Sequence, residues 1–345
     1  MDLVFVLLIV TIVTVLVFDF TNGFHDAADM VATAIASRAM TPSVAILLVT
    51  LFTFIAPFLA GLAVADTIGN FINIEDVEAL RAEAIILSGL LAAITYNLVT
   101  WKLGLPSSSS YSLIGGLVGA ALFVMGNSSI NWGIDSLMQW HLEGVMKIVA
   151  GLLFSPLAGF VVGFLLMKIF MRLFNRLTLK SRKFFVFSQY LSISWLGFSH
   201  GANDAQKGMA VIAMALLASG VNNEYIVPSW VIALCASAIS LGTVFGGWSI
   251  IKTLGFGIIK VKTLHSFTDQ IGSAFINTIA TIIGAPTSTT QVVTATLIGI
   301  GGAERPRHVK YKIIFSIIKG WFFNIPISIS LGALYSMLFL SILKA

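Results

Sequence analysis

Two short stretches of this 345-residue chain place groups that hold or exchange ions inside sequence otherwise apolar enough for lipid. One is Asn22-Gly23-Phe24-His25-Asp26, followed by Asp29; the other is His200-Gly201-Ala202-Asn203-Asp204, followed by Gln206 and Lys207. Carboxylate and amide oxygens suit hard cations. Lys207, three residues from Asp204, is its local helix partner as well as a fixed positive charge in any site built there. Ionisable groups at membrane depth are rare and expensive, which makes a substrate or ion path the default reading. Two further clusters, Gly104-Leu105-Pro106-Ser107-Ser108-Ser109-Ser110 and Gly284-Ala285-Pro286-Thr287-Ser288-Thr289-Thr290, supply hydroxyls. Pro favours the first helical position and Ser or Thr caps it, so each cluster is expected to start a helix inside the membrane. Unpaired N–H groups, hydroxyls and the positive end of a helix dipole together make an anion site. The bland alternative, hydroxyls that only glue helices together, does not explain why both clusters also carry Gly and Pro.

Carboxylates and an anion site conflict unless a cation or proton intervenes. A protein that carries an oxyanion together with sodium ions or protons resolves the conflict, because each ion removes the other's electrostatic penalty. Asp26, Asp204, Asn22, Asn203, Ser110 and Thr290 are the expected cation ligands, supported by Asp29, Gln206 and Lys207. The anion is expected at Ser107, Ser108, Ser109, Thr287, Ser288 and Thr289, within reach of Asp26 and Asp204. A carboxylate accepts a hydrogen bond from a protonated oxyanion, and at neutral pH phosphate keeps a proton while sulfate does not. The aspartates therefore favour phosphate. His25 and His200 lack a His or Cys at i+3 or i+4, so no transition-metal site is expected.

The elements that position these groups follow from composition. Of the residues 57% are hydrophobic and 10% charged, the mean hydropathy is +0.97, and soluble domains carry about 25% charged residues. Apolar windows of about 20 residues recur along the chain, which predicts an all-α polytopic membrane protein rather than a barrel. The first span is read as a retained helix, either continuous or broken at Thr21 to Asp26. Asp66 to Glu83 reads as an acidic linker, and residues 127–143 as a connector lying at the membrane interface. The net charge of +5 sits in short loops and reports topology, not a nucleic-acid partner. Single Cys235 excludes an intrachain disulfide. No Walker-type loop is present, so ATP hydrolysis is not expected, and no catalytic motif argues for an enzyme.

The halves repeat. The first pair of motifs aligns at an offset of 178 residues (200 − 22) and the second at 180 (284 − 104), which puts Gly119 opposite Gly299. Basic loops at Lys168 to Lys183, Lys252 to Lys262 and Arg305 to Lys312 are expected in the cytoplasm. The connector after Gly126 then lies outside and its counterpart at Pro306 inside, so the repeats are expected to be inverted. The divisions are residues 1–143 and 184–345 for the two repeats, with 144–183 a linking helix and basic loop.

Taken together, Phe20 to Ala28, Gly104 to Ser110, Gly197 to Lys207 and Pro286 to Gln291 resemble the inorganic phosphate transporter (PiT) family, as do Leu241-Gly242-Thr243, Gly246-Gly247-Trp248 and Lys252 to Gly255. The resemblance implies a secondary phosphate symporter without a resident cofactor, in a cell membrane. It further implies about twelve segments, re-entrant hairpins and a homodimer, with Asp26 and Asp204 essential. Another oxyanion such as sulfate, a metal–phosphate complex, or an anion channel remains the alternative. The chain departs from the family in having Asp29 where Asn is usual, Thr53 where animal members tend to have Glu, and no long hydrophilic central loop.

Overall fold

A computed structural model describes residues 3–74, 77–139, 141–174, 182–246, 251 and 255–343. Among these every regular element is helical: α1 (Leu3–Ala36), α2 (Pro42–Ile55), α3 (Ala63–Gly69), α4 (Ala79–Lys102), α5 (Ser109–Met125), α6 (Ile134–Met138), α7 (Gly144–Leu173), α8 (Arg182–Ala218), α9 (Ser229–Phe245), α10 (Thr263–Ile282), α11 (Thr289–Glu304) and α12 (Tyr311–Leu343). In hydrocarbon each backbone N–H and C=O needs an internal partner, which helices supply. Helices α1, α4, α7 and α12 are long and apolar enough to cross a membrane, and α2 with α3, bent by 72°, makes a fifth candidate. Length and apolarity alone thus return four or five spans among the described residues, against an expectation of about twelve. Parts of the basic linker, the Gly247-Trp248 pair and Lys252 to Leu254 lie outside the described residues.

One open alternative of local structure is decided and one reading is corrected. Asn22 to Asp26 does not break α1, which runs unbroken for 34 residues. The stretch has no Pro, and its polar side chains find partners across the helix rather than on their own backbone. Glu83 is not in a linker: α4 starts at Ala79, and Glu83 is buried in it, accepting from Thr11 Oγ1 at 2.6 Å.

One apolar core joins Leu8, Val15 and Phe18 of α1 to Ala205 through Leu216 of α8; the other joins Ala28 through Ala34 of α1 to Ile193 and Leu196 of α8. Helices α1 and α8 therefore pass each other in opposite directions, with the polar motifs held between the cores. Packing between halves is reciprocal. α1 packs on α9 as α8 packs on α2, and α5 packs on α12 as α11 packs on α7. Glycines at equivalent positions make these crossings close. A Cβ would lie 2.0 Å from Ile239 O on Gly23 and 2.3 Å from Thr53 O on Gly201, while on Gly119 and Gly299 it would meet Ile329 O at 2.0 Å and Phe160 O at 2.1 Å.

Because these neighbours are backbone, Gly23→Val is expected to lower stability by more than the ~1–3 kcal/mol of ordinary overpacking. Gly302→Ala, whose Cβ meets nothing within 4 Å, is expected to be near neutral. Thermal unfolding of the detergent-solubilised chain separates the two.

Candidate functional site

Each half contributes a helical hairpin, α4–α5 and α10–α11, whose tip carries one hydroxyl cluster. Both descending helices end alike. Gly104 (φ +68°) and Gly284 (φ +70°) take the left-handed conformation. The next residue then bonds back five positions, Leu105 N to Thr100 O at 3.0 Å and Ala285 N to Ala280 O at 2.8 Å, a Schellman ending that only glycine reaches without strain. The ascending helices start at Ser109 and Thr289. Ser108 and Ser288 cap them, accepting from Tyr111 N and Gln291 N. Pro106 and Pro286 are therefore not at the first helical position but in the approach to the cap. There they hold the preceding residue extended. The tips meet directly: Ser110 Oγ donates to Thr287 O at 2.6 Å. Asn324 of α12 donates to Ser108 O at 2.8 Å, fixing the first tip from behind.

The tips rest on α1 and α8. Ser107 Oγ lies 3.4 Å from His25 Nε2 and 2.7 Å from Thr100 Oγ1. Thr289 Oγ1 lies 3.2 Å from His200 Nδ1, and Asn277 Nδ2 donates to it at 3.3 Å. Thr287 N donates to Asn203 Oδ1 at 3.0 Å, while Asn203 Nδ2 donates to Thr281 Oγ1 and Ala285 O. Asn203 thus holds the α10–α11 turn. Gln206 acts likewise: its Oε1 accepts from Val64 N and Ala65 N, both at 2.9 Å, capping α3 from another helix.

The ionisable groups come together as the spacing suggests. Asn22 Nδ2 donates to Asp204 Oδ2 at 3.1 Å, and Lys207 Nζ donates to the same oxygen at 2.6 Å. Thr290 Oγ1 reaches Asp26 Oδ1 at 2.8 Å and also Asp29 Oδ2. A hydroxyl has one hydrogen, so one of these two carboxylate contacts needs a proton or a cation to be favourable. His25, Asp26 and Asp29 offer ligand atoms within 4.8 Å of one another, as do Asp26, His200 and Asp204. All of these side chains are buried. Asn22 Oδ1, Asp29 Oδ1 and Asp204 Oδ1 have no hydrogen-bond donor. Buried acceptors without donors cost about 1–3 kcal/mol each, more when charged. Hard oxygens that converge in this way suit a small monovalent cation.

Three acids escaped the motif reading. Asp19, Glu83 and Asp269 are fully buried. Asp19, Asn22, Asp26, Asp29 and Thr33 follow one another at steps of three, four, three and four, a single stripe along α1. That period was readable. Asp19 was masked by its flanking phenylalanines, Glu83 by its apparent place in a linker, and Asp269 by having no motif around it.

The comparisons extend across the chain. The sequence pattern of the phosphate transporter family matches residues 22–332. A probable low-affinity inorganic phosphate transporter of Rhizobium meliloti (strain 1021) is 40% identical over 334 residues, 96% of each chain. A protein of the same description from Bacillus subtilis (strain 168) is 36% identical over 336 residues, 97% of each. A solved structure described as the sodium-dependent phosphate transporter shares the fold with a TM-score of 0.82 at 22% identity, covering 96% of this chain and 98% of that one.

Thr290→Val removes the hydroxyl shared by Asp26 and Asp29. It is expected to weaken cation binding by about tenfold or more, since a hydrogen bond to a charged group contributes ~1.5–3 kcal/mol. Thr290→Ser is expected to retain binding. The measurement is the rise in unfolding temperature on replacing choline chloride with sodium chloride.

Proposed function

We propose that this chain, which belongs to the phosphate transporter family, is a secondary active symporter that carries inorganic phosphate with sodium ions by alternating access. The observation that carries this reading is the meeting of two hydroxyl-rich helix N-termini with three buried aspartates in one layer. Phosphate lies against Ser107, Ser108, Ser109, Thr287, Ser288 and Thr289, its proton directed at Asp26 or Asp204. Sodium, or a proton in its place, sits among Asp26, Asp29, Asp204 and Asn22 with Thr290 and Ser110 beside it, and Lys207 sets the local charge. The anion alone faces uncompensated carboxylates, and the cation bound among them supplies the compensating charge. Each ion thus lowers the electrostatic cost of the other, and this is the origin of coupling.

Two inverted repeats, residues 1–143 and 184–345, related by an axis in the membrane plane and joined through residues 144–183, account for the reciprocal packing, the antiparallel pass of α1 and α8, and the paired glycines. The hairpins α4–α5 and α10–α11 act as re-entrant segments, which brings the count of membrane segments toward twelve. The chain works as a homodimer in the plasma or inner membrane.

Purified protein in liposomes is expected to accumulate labelled phosphate when a sodium gradient is imposed. Exchange of sodium for potassium at two pH values separates sodium from proton coupling, and uptake driven by neither gradient would falsify symport. Excess sulfate is expected not to compete. Asp204→Asn is expected to lower uptake at least 100-fold, about 2.8 kcal/mol, with the protein still monodisperse. A tag placed at residue 130 is expected to label from outside; labelling from the cytoplasm removes the inverted arrangement.

A further inference from the structure

Among the described residues Lys207 is the one lysine or arginine that is fully buried. Its ammonium shares Asp204 Oδ2 with the Asn22 amide, and Asp204 Oδ1 is left without a donor, facing Asp26 and His200. A cation placed between Asp26 and Asp204 therefore meets the ammonium across a single carboxylate. Two like charges in so enclosed a space repel strongly. Loading the site requires that Lys207 give way, and a buried ammonium moves only to another anion.

Asp19 is that anion. Its side chain is fully buried, and the weakly donating Cys235 thiol is its one hydrogen-bond partner among the described residues. It lies one turn before Asn22 on the same stripe of α1, beside the Cys235 thiol of α9 and within electrostatic range of Lys207 and Asp204. Gly208, the neighbour of Lys207, lets it come this close: a Cβ there would lie 2.2 Å from Asp19 Oδ2. A carboxylate met only by a thiol and pressed onto the backbone next to a flexible four-carbon ammonium chain makes a second seat for that ammonium.

We propose that Asp19 is a positioning residue of the transport site: when the coupling cation enters between Asp26 and Asp204, Lys207 transfers from Asp204 to Asp19. This rests on the symport reading above. The transfer keeps the Lys207 ammonium paired with a carboxylate in both states. It makes Lys207 an internal competitor that holds the cation site closed until an ion displaces it.

The test uses the full chain in liposomes, titrating sodium and protons separately at saturating phosphate. Asp19→Asn is expected to raise the half-saturating concentration of whichever ion drives the wild type about tenfold, the size of a direct charge coupling. The half-saturating phosphate at saturating ion stays unchanged. Asp19→Asn with Lys207→Met removes the competitor together with its seat and is expected to return ion dependence to within about threefold of wild type. Gly208→Ala keeps all charges but displaces the Asp19 carboxylate, and is expected to shift ion dependence the same way as Asp19→Asn. An unshifted Asp19→Asn overturns the inference. So does a double variant as impaired as the single one, since Asp19 would then ligate the ion itself or only pack. A wild type that needs neither ion overturns the symport reading and this inference with it.

Discussion

Mutual repulsion of buried carboxylates is the constraint around which this molecule is built. Asp26 and Asp204 bring ligand atoms within 4.8 Å of each other, a separation at which two full charges repel by about 3 kcal/mol at an effective dielectric of about 20. Asp29 and Asp19 extend the acidic stripe on α1, against one buried lysine. Such a layer is stable only while cations or protons complete it. The two apolar cores above and below clamp α1 and α8 in register and prevent the acids from separating.

Close backbone approach meets that constraint. Gly23 sits one position from Asn22 and Gly201 two from Asn203, and each lets a helix of the other half approach to carbonyl contact. A larger side chain at either would tilt its helix and move Asn22 or Asn203 away from its partner. The same economy governs the hairpin tips. Their turns are closed by glycine at one end and a serine cap at the other, so the polar side chains between face α1 and α8 rather than solvent. Equivalent positions do not carry equivalent chemistry: Asp29 in one half corresponds to Lys207 in the other (29 + 178). The layer is symmetric in backbone and polarised in charge.

Much of this was legible from residue types and spacing: the helical class, and the meeting of Asn22 with Asp204 and of Asp26 with Thr290 of the second Ser/Thr cluster. What escaped was set by tertiary partners. Nothing local says that the Asn203 and Gln206 amides are consumed in holding a turn and capping α3, because their partners lie 84 and 142 positions away. The helix boundary at Ala79 was hidden because Glu83 is tolerated inside α4 only through its bond to Thr11, itself 72 positions distant. The continuity of α1 through a polar stretch stayed undecided for a related reason: a run that looks like a break in isolation is a lining when other helices surround it.

Gln206 ties this layer to something outside it. The amide one residue before Lys207 accepts both first-turn N–H groups of α3, the short helix bent 72° from α2, and Tyr225 holds the same turn through Ala65 O. A helix of seven residues does not persist without its cap. The cap of α3 and the buried ammonium therefore sit on adjacent residues of α8, and the bent α2–α3 segment is anchored to the same turn of helix that carries the charge.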